Sequence, residues 1–526
     1  MKALLCGAAV IALLGFFLFP GHTYLQSDTQ IYIPMLERLH NPALFTRDIV
    51  ALRPHLTFTI YDDTALALKR ITHLDFQILL TAEQLLFRAL AVCGLILIAR
   101  RLGLSAMQSF FVAALVSLGA TISGPAVLTI EYEPVPRGFA ISLIVFALGL
   151  IAEEYYLAAG TAAAVAFLYH PPTTLPFWGL AILLVILKRA RWTILAPLAF
   201  AAAILATLAR IQPPGIETSS ILRRLDSFEE SLQRMRAAYS FVSTWASFQW
   251  INFAVQTGIV ALAFLRLRIH PPLRDFLWGL PAAGILSVPF SWLLLEHEHW
   301  ALIPQWQPAR AILFVSLMAA LLSAVAAMKA TSFGERLLWL TAAFLMPVQH
   351  AFVGRELHYR PLLLAAALAL LTAVLYSIRK QTLVLAALIP FFAIPQSKLV
   401  ENYPRIETAE LRALAGWART STPEPSLFLF PDSRTSLEPG IFRARSLRGL
   451  YVDWKSGGQV NYFPGFAREW WTRWVATGSG RWSVTTEDLS RLPGVDFVVL
   501  KKPIAGEEPI FQNAAYWVYA TTPHKF

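Results

Sequence analysis

The sequence predicts a polytopic α-helical membrane protein of about 11 to 13 spans with a small C-terminal α/β domain outside the membrane. Hydrophobic residues make up 56% of the 526 residues and charged residues only 15%, which is too little charge for an ordinary soluble chain of this length. Apolar runs recur between residues 3 and 395, and a spanning helix needs roughly 20 such residues. The runs then stop, and a C-terminal region of soluble composition follows.

The apolar runs place a transmembrane domain at residues 1–398. Several runs are short or contain proline, which membrane helices tolerate because neighbouring groups satisfy the freed carbonyls. Within the second run, Glu83 and Arg88 are close enough in sequence to form an intramembrane pair. The predicted spans are 3–20, 78–99, 106–129, 138–152, 155–170, 173–187, 193–209, 248–265, 276–295, 309–328, 336–353, 361–378 and 382–395.

The basic residues responsible for the net charge of +11 lie in the loops between spans and do not form a patch suited to nucleic acid. Lys and Arg concentrate at the N-terminus and after alternate spans, whereas the turn at Glu153 and Glu154 lacks them. Because basic loops stay in the cytoplasm, the N-terminus is predicted to be cytoplasmic. An odd number of spans then makes the C-terminal domain extracytoplasmic. The basic segments are residue 2 and residues 100–101, 188–191, 266–274, 329–336 and 379–380.

Two outer loops, 21–77 and 211–247, are too long to be simple connections. Residues 31–39 and 221–239 within them place apolar side chains at helical spacing. The first of these amphipathic segments could lie along the membrane surface. Packing at the membrane interface explains both segments without a chemical role.

Residues 399–526 are predicted to form a soluble α/β domain, because helical and strand patterns alternate. The domain contains no cysteine, since Cys6 and Cys93 both lie in predicted spans. It shows no glycine-rich phosphate loop and no zinc spacing. The helical segments are 407–420, 466–475 and 485–492, and the strands are 426–430, 447–452, 495–500 and 515–520.

Ionisable side chains are concentrated at the outer ends of the spans. Charged groups cost free energy in contact with lipid, so they usually line a cavity or face water. The arrangement suits a reaction on a charged, lipid-linked substrate. The residues that carry this interpretation are Asp28, Asp48, Glu131, Glu133, Arg137, Arg310, Arg355 and His358.

Two kinds of role follow from these residue types. A carboxylate can take a proton from an acceptor hydroxyl as a general base; Asp28 is the first choice and Asp48 the second. Guanidinium groups can hold a phosphate or diphosphate in a bidentate fork, for which Arg137 and Arg310 are preferred. Arg355 and His358 are reserves, and Glu131 and Glu133 lie beside Arg137 in sequence.

Each role has a structural alternative. Asp28 could instead cap a helix that begins near Thr29, and Arg137 could pair with a nearby glutamate or anchor a headgroup. Arg310 could extend to the membrane interface. The run 296–299 contains metal-ligand residue types, but alternate positions on a turn rarely converge. No cofactor is therefore predicted, and a divalent metal remains an open alternative.

The order of these features resembles the GT-C superfamily of membrane glycosyltransferases, in which the first span leads directly into a long outer loop with an acidic residue. The segments 417–423, 427–431 and 451–455 also resemble the C-terminal part of uncharacterised bacterial GT-C-like proteins. By this resemblance Asp28 would be the catalytic acid and Asp48 the second acidic site. Many members have adjacent acidic residues in this loop, whereas here the adjacent pair, Asp62 and Asp63, lies nearer the second span.

The resemblance implies a GT-C-like fold in the bacterial cytoplasmic (inner) membrane. It also implies transfer of a hexosyl or pentosyl group from a polyprenyl-(di)phosphate donor to an envelope glycan, lipid or protein. A transporter or flippase remains an alternative, although such proteins place charges or broken helices near the midplane and often have two matching halves. The third alternative is a non-catalytic scaffold, which would be favoured if Asp28 and Arg310 lay far apart or faced lipid.

Overall fold

The structure is a computed structural model that describes residues 2–53, 59–122, 124–211, 222–348, 359–400, 405–478 and 494–521. Each of the thirteen predicted spans contains at least part of a helix, and α2, α3, α10 and α13 lie outside those spans. In chain order the helices are α1 (Lys2–Phe17), α2 (Thr29–His40), α3 (Tyr61–Thr72), α4 (Phe76–Arg101), α5 (Ala106–Val116), α6 (Pro136–Ala152), α7 (Tyr156–Tyr169), α8 (Pro171–Ile186), α9 (Ala196–Arg210), α10 (Ser227–Arg236), α11 (Ser247–Arg266), α12 (Leu273–Ser291), α13 (Ile303–Trp306), α14 (Leu313–Lys329), α15 (Phe333–Val348), α16 (Tyr359–Ile378) and α17 (Leu383–Ser397).

The chain is a multi-pass membrane protein. In the described part of the chain, six helical segments are long and apolar enough to cross a bilayer, and several shorter apolar helices accompany them. The segment that contains α14 is wholly buried, whereas Phe200 on α9 and Leu265 on α11 are largely exposed. Large exposed apolar side chains on the outside of a helical bundle are expected where the solvent is lipid. The six segments are Phe76–Arg101, Trp192–Arg210, Ser247–Arg266, Leu273–His297, Ile303–Lys329 and Arg360–Ile378.

The third predicted span, 106–129, departs from the prediction because its helix α5 ends at Val116. A two-stranded hairpin follows, in which β1 (Thr121–Ile122) pairs antiparallel with β2 (Val127–Leu128). Both strands are buried, and irregular backbone is tolerated at membrane depth where protein surrounds it. The hairpin brings the residues after it to the outer ends of α6 and α14.

Glu83 and Arg88 on α4 do not pair with each other. Arg88 donates to the backbone carbonyls of Gly15 and Glu131, at 3.2 and 2.6 Å. Glu83 instead accepts a hydrogen bond of 3.0 Å from the hydroxyl of Tyr169. Both side chains therefore make hydrogen bonds to other parts of the chain, although one carboxylate oxygen of Glu83 is buried without a partner.

Helices α4 and α6 cross at two glycines, Gly94 and Gly149, where a Cβ on either residue would overlap the backbone of the other helix. Small residues at such a crossing let two membrane helices approach closely. The crossing fixes α6 against α4. The N-terminal end of α6 is thereby held beside the first outer loop.

The C-terminal α/β unit that the sequence predicts is present and confirms the predicted fold class. Its mixed sheet has the order β4-β3-β5-β7-β6, with β3 parallel to β4 and β5 and the remaining pairs antiparallel. Helix α19 and strand β6 were not predicted, and the predicted helix 485–492 lies outside the described residues. The elements are α18 (Ala409–Ser421), α19 (Glu438–Ser446), α20 (Pro464–Arg473), β3 (Leu427–Leu429), β4 (Gly449–Leu450), β5 (Phe497–Leu500), β6 (Phe511–Gln512) and β7 (Trp517–Ala520).

Both outer loops pack against this C-terminal domain. Ile31 and Met35 on α2 and Leu232 on α10 share a buried apolar cluster with Phe466 and Trp470 on α20. The amphipathic faces that could have covered membrane lipid therefore cover the C-terminal domain instead. Burial of these side chains holds the domain against the two long loops.

Candidate active site

Asp28 lies immediately before α2 and contacts two cations. Its Oδ1 is 2.5 Å from Nζ of Lys455 and its Oδ2 is 2.9 Å from Nη2 of Arg137. Its side chain makes no helix-capping hydrogen bond, so the capping alternative does not describe it. Burial by itself would raise the pKa of Asp28, but the charges of Lys455 and Arg137 outweigh burial and hold the pKa below its usual range. Asp28 is therefore an ionised carboxylate.

Glu133 fixes the backbone that carries Asp28. Its buried carboxylate accepts the backbone N–H groups of Gln26, Ser27 and Thr29 at 2.6, 2.8 and 2.9 Å. These three hydrogen bonds fix the backbone at the start of α2 to a side chain from a different loop. This geometry favours a positioning role for Glu133 over the substrate contact that the sequence suggested.

Arg137 bridges two carboxylates at the start of α6. Its Nε and Nη2 lie 2.5 and 3.2 Å from the two oxygens of Glu131, in the bidentate form typical of guanidinium–carboxylate pairs. Pro136 suits the first helical position because it has no N–H to satisfy there. Gly138 leaves room for Glu131, since a Cβ at that position would be 2.8 Å from the Cβ of Glu131. Arg137 thus joins Glu131 and Asp28 in one ionic network.

Arg310 faces inward from a break in the helical run before α14. Gln307 adopts a left-handed conformation (φ +54°), and Pro308 follows it, so the chain passes through a short 3₁₀ turn that carries Arg310. The Nε of Arg310 donates to the carbonyl of Pro125 at 3.2 Å. Its guanidinium carbon is 4.4 Å from the centre of the Tyr239 ring, a cation–π distance. The side chain points into the protein and not toward lipid.

Arg137, Glu131 and Arg310 line one cleft of about 510 Å³, including the part that opens to solvent. Asp28 adjoins this cleft through its contact with Arg137, and Arg310 also contributes to the charge acting on Asp28. His170 lies on the opposite wall. Two guanidinium groups and the carboxylate of Glu131 therefore line the cleft, and the ionised Asp28 lies beside it.

Asp48, the second carboxylate suggested by the sequence, is enclosed in the contact between the first outer loop and the C-terminal domain. It is fully buried and accepts backbone N–H groups from Val50, Ala51 and Leu450 at 2.9, 2.7 and 2.9 Å. Its Oδ2 lies 3.7 Å from Nη1 of the buried Arg443. A carboxylate with these partners has no access to an acceptor hydroxyl, and the geometry favours a structural role.

Two further residues suggested by the sequence cannot be placed relative to the cleft. Arg355 and His358 lie outside the described residues. Asp62 is buried on α3, where burial, followed by the charge of Asp63, raises its pKa to about 7. Within the ranges that the structure describes, no three His, Cys, Asp or Glu side chains are grouped to hold a metal ion.

Sequence reasoning missed Lys455. The residue belongs to the segment 451–455, which drew attention only through its resemblance to other C-terminal domains. Lysines on soluble domains are usually solvated, so composition offered no signal for it. The structure brings it to Asp28 from 427 residues away in the chain.

No protein-family model matches the sequence, and no curated protein matches it. Among solved structures, the chain is similar to arabinofuranosyltransferase AftD from Mycobacteria, at 14% identity and a TM-score of 0.45. That match covers 95% of this chain but 35% of AftD, so the chain spans about a third of the length of that enzyme.

The chain is also similar to ArnT from Cupriavidus metallidurans, solved with undecaprenyl phosphate bound (13% identity, TM-score 0.43) and in the apo state (13%, 0.44). Both matches cover 99% of this chain and 97% of ArnT. Identities and TM-scores this low carry no argument about activity, which must rest on the site.

Proposed function

We propose that the protein is a membrane glycosyltransferase that moves a sugar from a polyprenyl-(di)phosphate donor to a cell-envelope acceptor on the outer face of the cytoplasmic membrane. The observation that supports this most is the ionised Asp28, held against Arg137 beside a cleft that Arg310 also lines. An acid and two guanidinium groups from three distant parts of the chain meet there. This combination suits transfer from a phosphate leaving group.

The proposed chemistry divides between the acid and the arginines. Asp28 accepts the proton of an acceptor hydroxyl as that oxygen attacks the anomeric carbon of the donor sugar. The bond between the anomeric carbon and the phosphate oxygen breaks, and negative charge develops on the phosphate. Arg137 and Arg310 stabilise that charge as preorganised donors. Glu131 keeps the Arg137 guanidinium oriented.

The proposed activity can be tested by lipid analysis of a strain that lacks the gene. We expect a polyprenyl-linked sugar to accumulate in the deletion strain and to return to its normal level when the wild-type protein is restored. A strain with an unchanged pool of lipid-linked sugars would contradict the proposal. Mass spectrometry of the accumulated lipid would also identify the sugar.

Replacement of Arg310 with Gln is expected to weaken the donor interaction about tenfold or more, since a hydrogen bond to a charged group contributes on the order of 1.5–3 kcal/mol. The loss should appear in the KM for the donor and in kcat, because the phosphate charge grows in the transition state. Initial rates with purified protein would measure both constants.

The matched control for Arg310 is Arg224→Gln, because Arg224 forms an exposed ion pair with Glu298 on the same side of the membrane. The control should keep wild-type kinetics. Equal effects of the two substitutions would remove Arg310 from the proposed phosphate site.

The proposal requires the C-terminal domain to be extracytoplasmic. Alkaline phosphatase fused after Phe526 is expected to be active, because this reporter folds only outside the cytoplasm. A green fluorescent protein fused at the same position, which fluoresces only in the cytoplasm, should be dark. The reverse pattern would place the cleft on the cytoplasmic side and contradict the proposed donor face.

A further inference from the structure

The C-terminal domain contributes one cation directly to the candidate active site. Nζ of Lys455 lies 2.5 Å from Asp28 and 3.2 Å from the hydroxyl of Ser27. Its side chain is only 17% exposed. The contact exists only while the C-terminal domain is docked on the first outer loop, because the two residues are remote in sequence.

The backbone that carries Lys455 is firmly held. Asp453 pairs with the buried Arg443 at 3.0 Å and accepts the N–H of Ser456 at 3.1 Å. The indole Nε1 of Trp470 donates to the carbonyl of Asp453 at 2.9 Å. Two residues after Lys455, Gly457 packs so closely that a Cβ would overlap the Trp470 ring. These contacts oppose movement of the backbone, so a change in the position of the ammonium is easiest within the Lys455 side chain itself.

The carboxylate of Asp28 contacts two cations. Each of its oxygens contacts one of them, and Arg137 is already oriented by Glu131. A general base works best when its pKa lies near the operating pH, whereas these cations favour the ionised, weakly basic form. One of them must leave before Asp28 can take a proton efficiently.

Lys455 is the cation more able to leave. Arg137 is a planar fork fixed by two contacts to Glu131, but a lysine ammonium is a compact charge on a flexible stem. A phosphate that entered the neighbouring cleft would offer this ammonium a competing anion. The contacts that hold the Lys455 backbone would remain unchanged.

We propose that Lys455 is a positioning residue that pairs with Asp28 before the donor binds. When the donor arrives, the ammonium group of Lys455 leaves Asp28 and contacts the donor phosphate instead. This inference rests on the proposed function and adds an order of events to it. Donor binding frees one oxygen of Asp28 for the acceptor hydroxyl. The base is thereby available only when the donor is in place.

The test is a double-mutant cycle on the purified full-length chain in detergent, with undecaprenyl phosphate as the probe and its Kd measured by calorimetry. Lys455→Met is expected to weaken binding about tenfold, as loss of a charge-assisted contact does. Asp28→Asn should strengthen binding, because it releases Lys455 from its carboxylate. In the Lys455→Met background this strengthening should largely disappear, since no ammonium remains to be released.

Two controls separate charge from structure. Lys455→Arg should retain most of the affinity, and Lys502→Met, at an exposed lysine of the same domain, should bind as wild type does. Wild-type affinity in Lys455→Met, or additive effects in the cycle, would overturn the inference and leave the proposed transferase standing. Failure of the wild type itself to bind the lipid phosphate would overturn the inference and contradict the proposed donor class as well.

Discussion

The variant Asp28→Asn is expected to lose sugar transfer by a factor of at least about 100, the lower end of what a positioned general base contributes. Asparagine keeps the size of the side chain but cannot accept the acceptor proton. The loss should fall on kcat, because Asp28 acts on the acceptor hydroxyl and not on the donor phosphate. Single-turnover rates with donor-saturated protein would measure it directly.

The matched control for Asp28 is Asp63→Asn, at an exposed aspartate on α3 in the same outer loop. It should transfer sugar at the wild-type rate. Thermal unfolding of both variants would show that each remains folded. Full complementation of the deletion strain by Asp28→Asn would remove this carboxylate from the mechanism.

The largest effect on stability is expected from Arg443→Met. Arg443 is fully buried between Asp48 and Asp453, at 3.7 and 3.0 Å, and also donates to the carbonyl of Gln30 at 3.0 Å. Removing the cation leaves two buried carboxylates without their common partner, which costs on the order of 3–5 kcal/mol. The docked domain should therefore unfold at a clearly lower denaturant concentration.

Arg47→Met provides the comparison for Arg443, because Arg47 also joins the first outer loop to the C-terminal domain but is 38% exposed in its pair with Asp496. Exposed pairs of this kind contribute about 0–1 kcal/mol. If the two variants lost nearly equal free energies of unfolding, burial would not explain the contribution of the Arg443 ion pairs to stability. A larger loss for Arg443→Met would also support the structural role of Asp48.

The membrane helices could be predicted because their signal is local. A run of apolar residues must be helical in lipid, whatever lies beside it, because each backbone N–H and C=O must be satisfied within the segment. The exception is 106–129, in which α5 ends at Val116 and a hairpin follows. Its second half contains Gly119, Gly124 and Pro125 among apolar residues. Hydropathy cannot distinguish a continuing helix from a hairpin that neighbouring helices enclose.

Helix α19 shows where local patterns fail in the C-terminal domain. It is nine residues long, contains Pro439 and Gly440, and buries Arg443. Each of these features lowers the apparent helical propensity or apolar character of the segment. The helix is stabilised by tertiary contacts, above all by the pairing of Arg443 with Asp48 and Asp453.

For the candidate site, the sequence alone supplied the residue types and their places at the ends of the predicted spans. It selected Asp28, Arg137 and Arg310, because charged groups at the ends of apolar helices are costly unless they serve a purpose. Tertiary structure alone decided the partners. It paired Asp28 with Lys455, enclosed Asp48 behind Leu450 and turned Glu133 toward backbone amides. Burial and hydrogen bonding determine what a carboxylate can do, and both are set by residues hundreds of positions away.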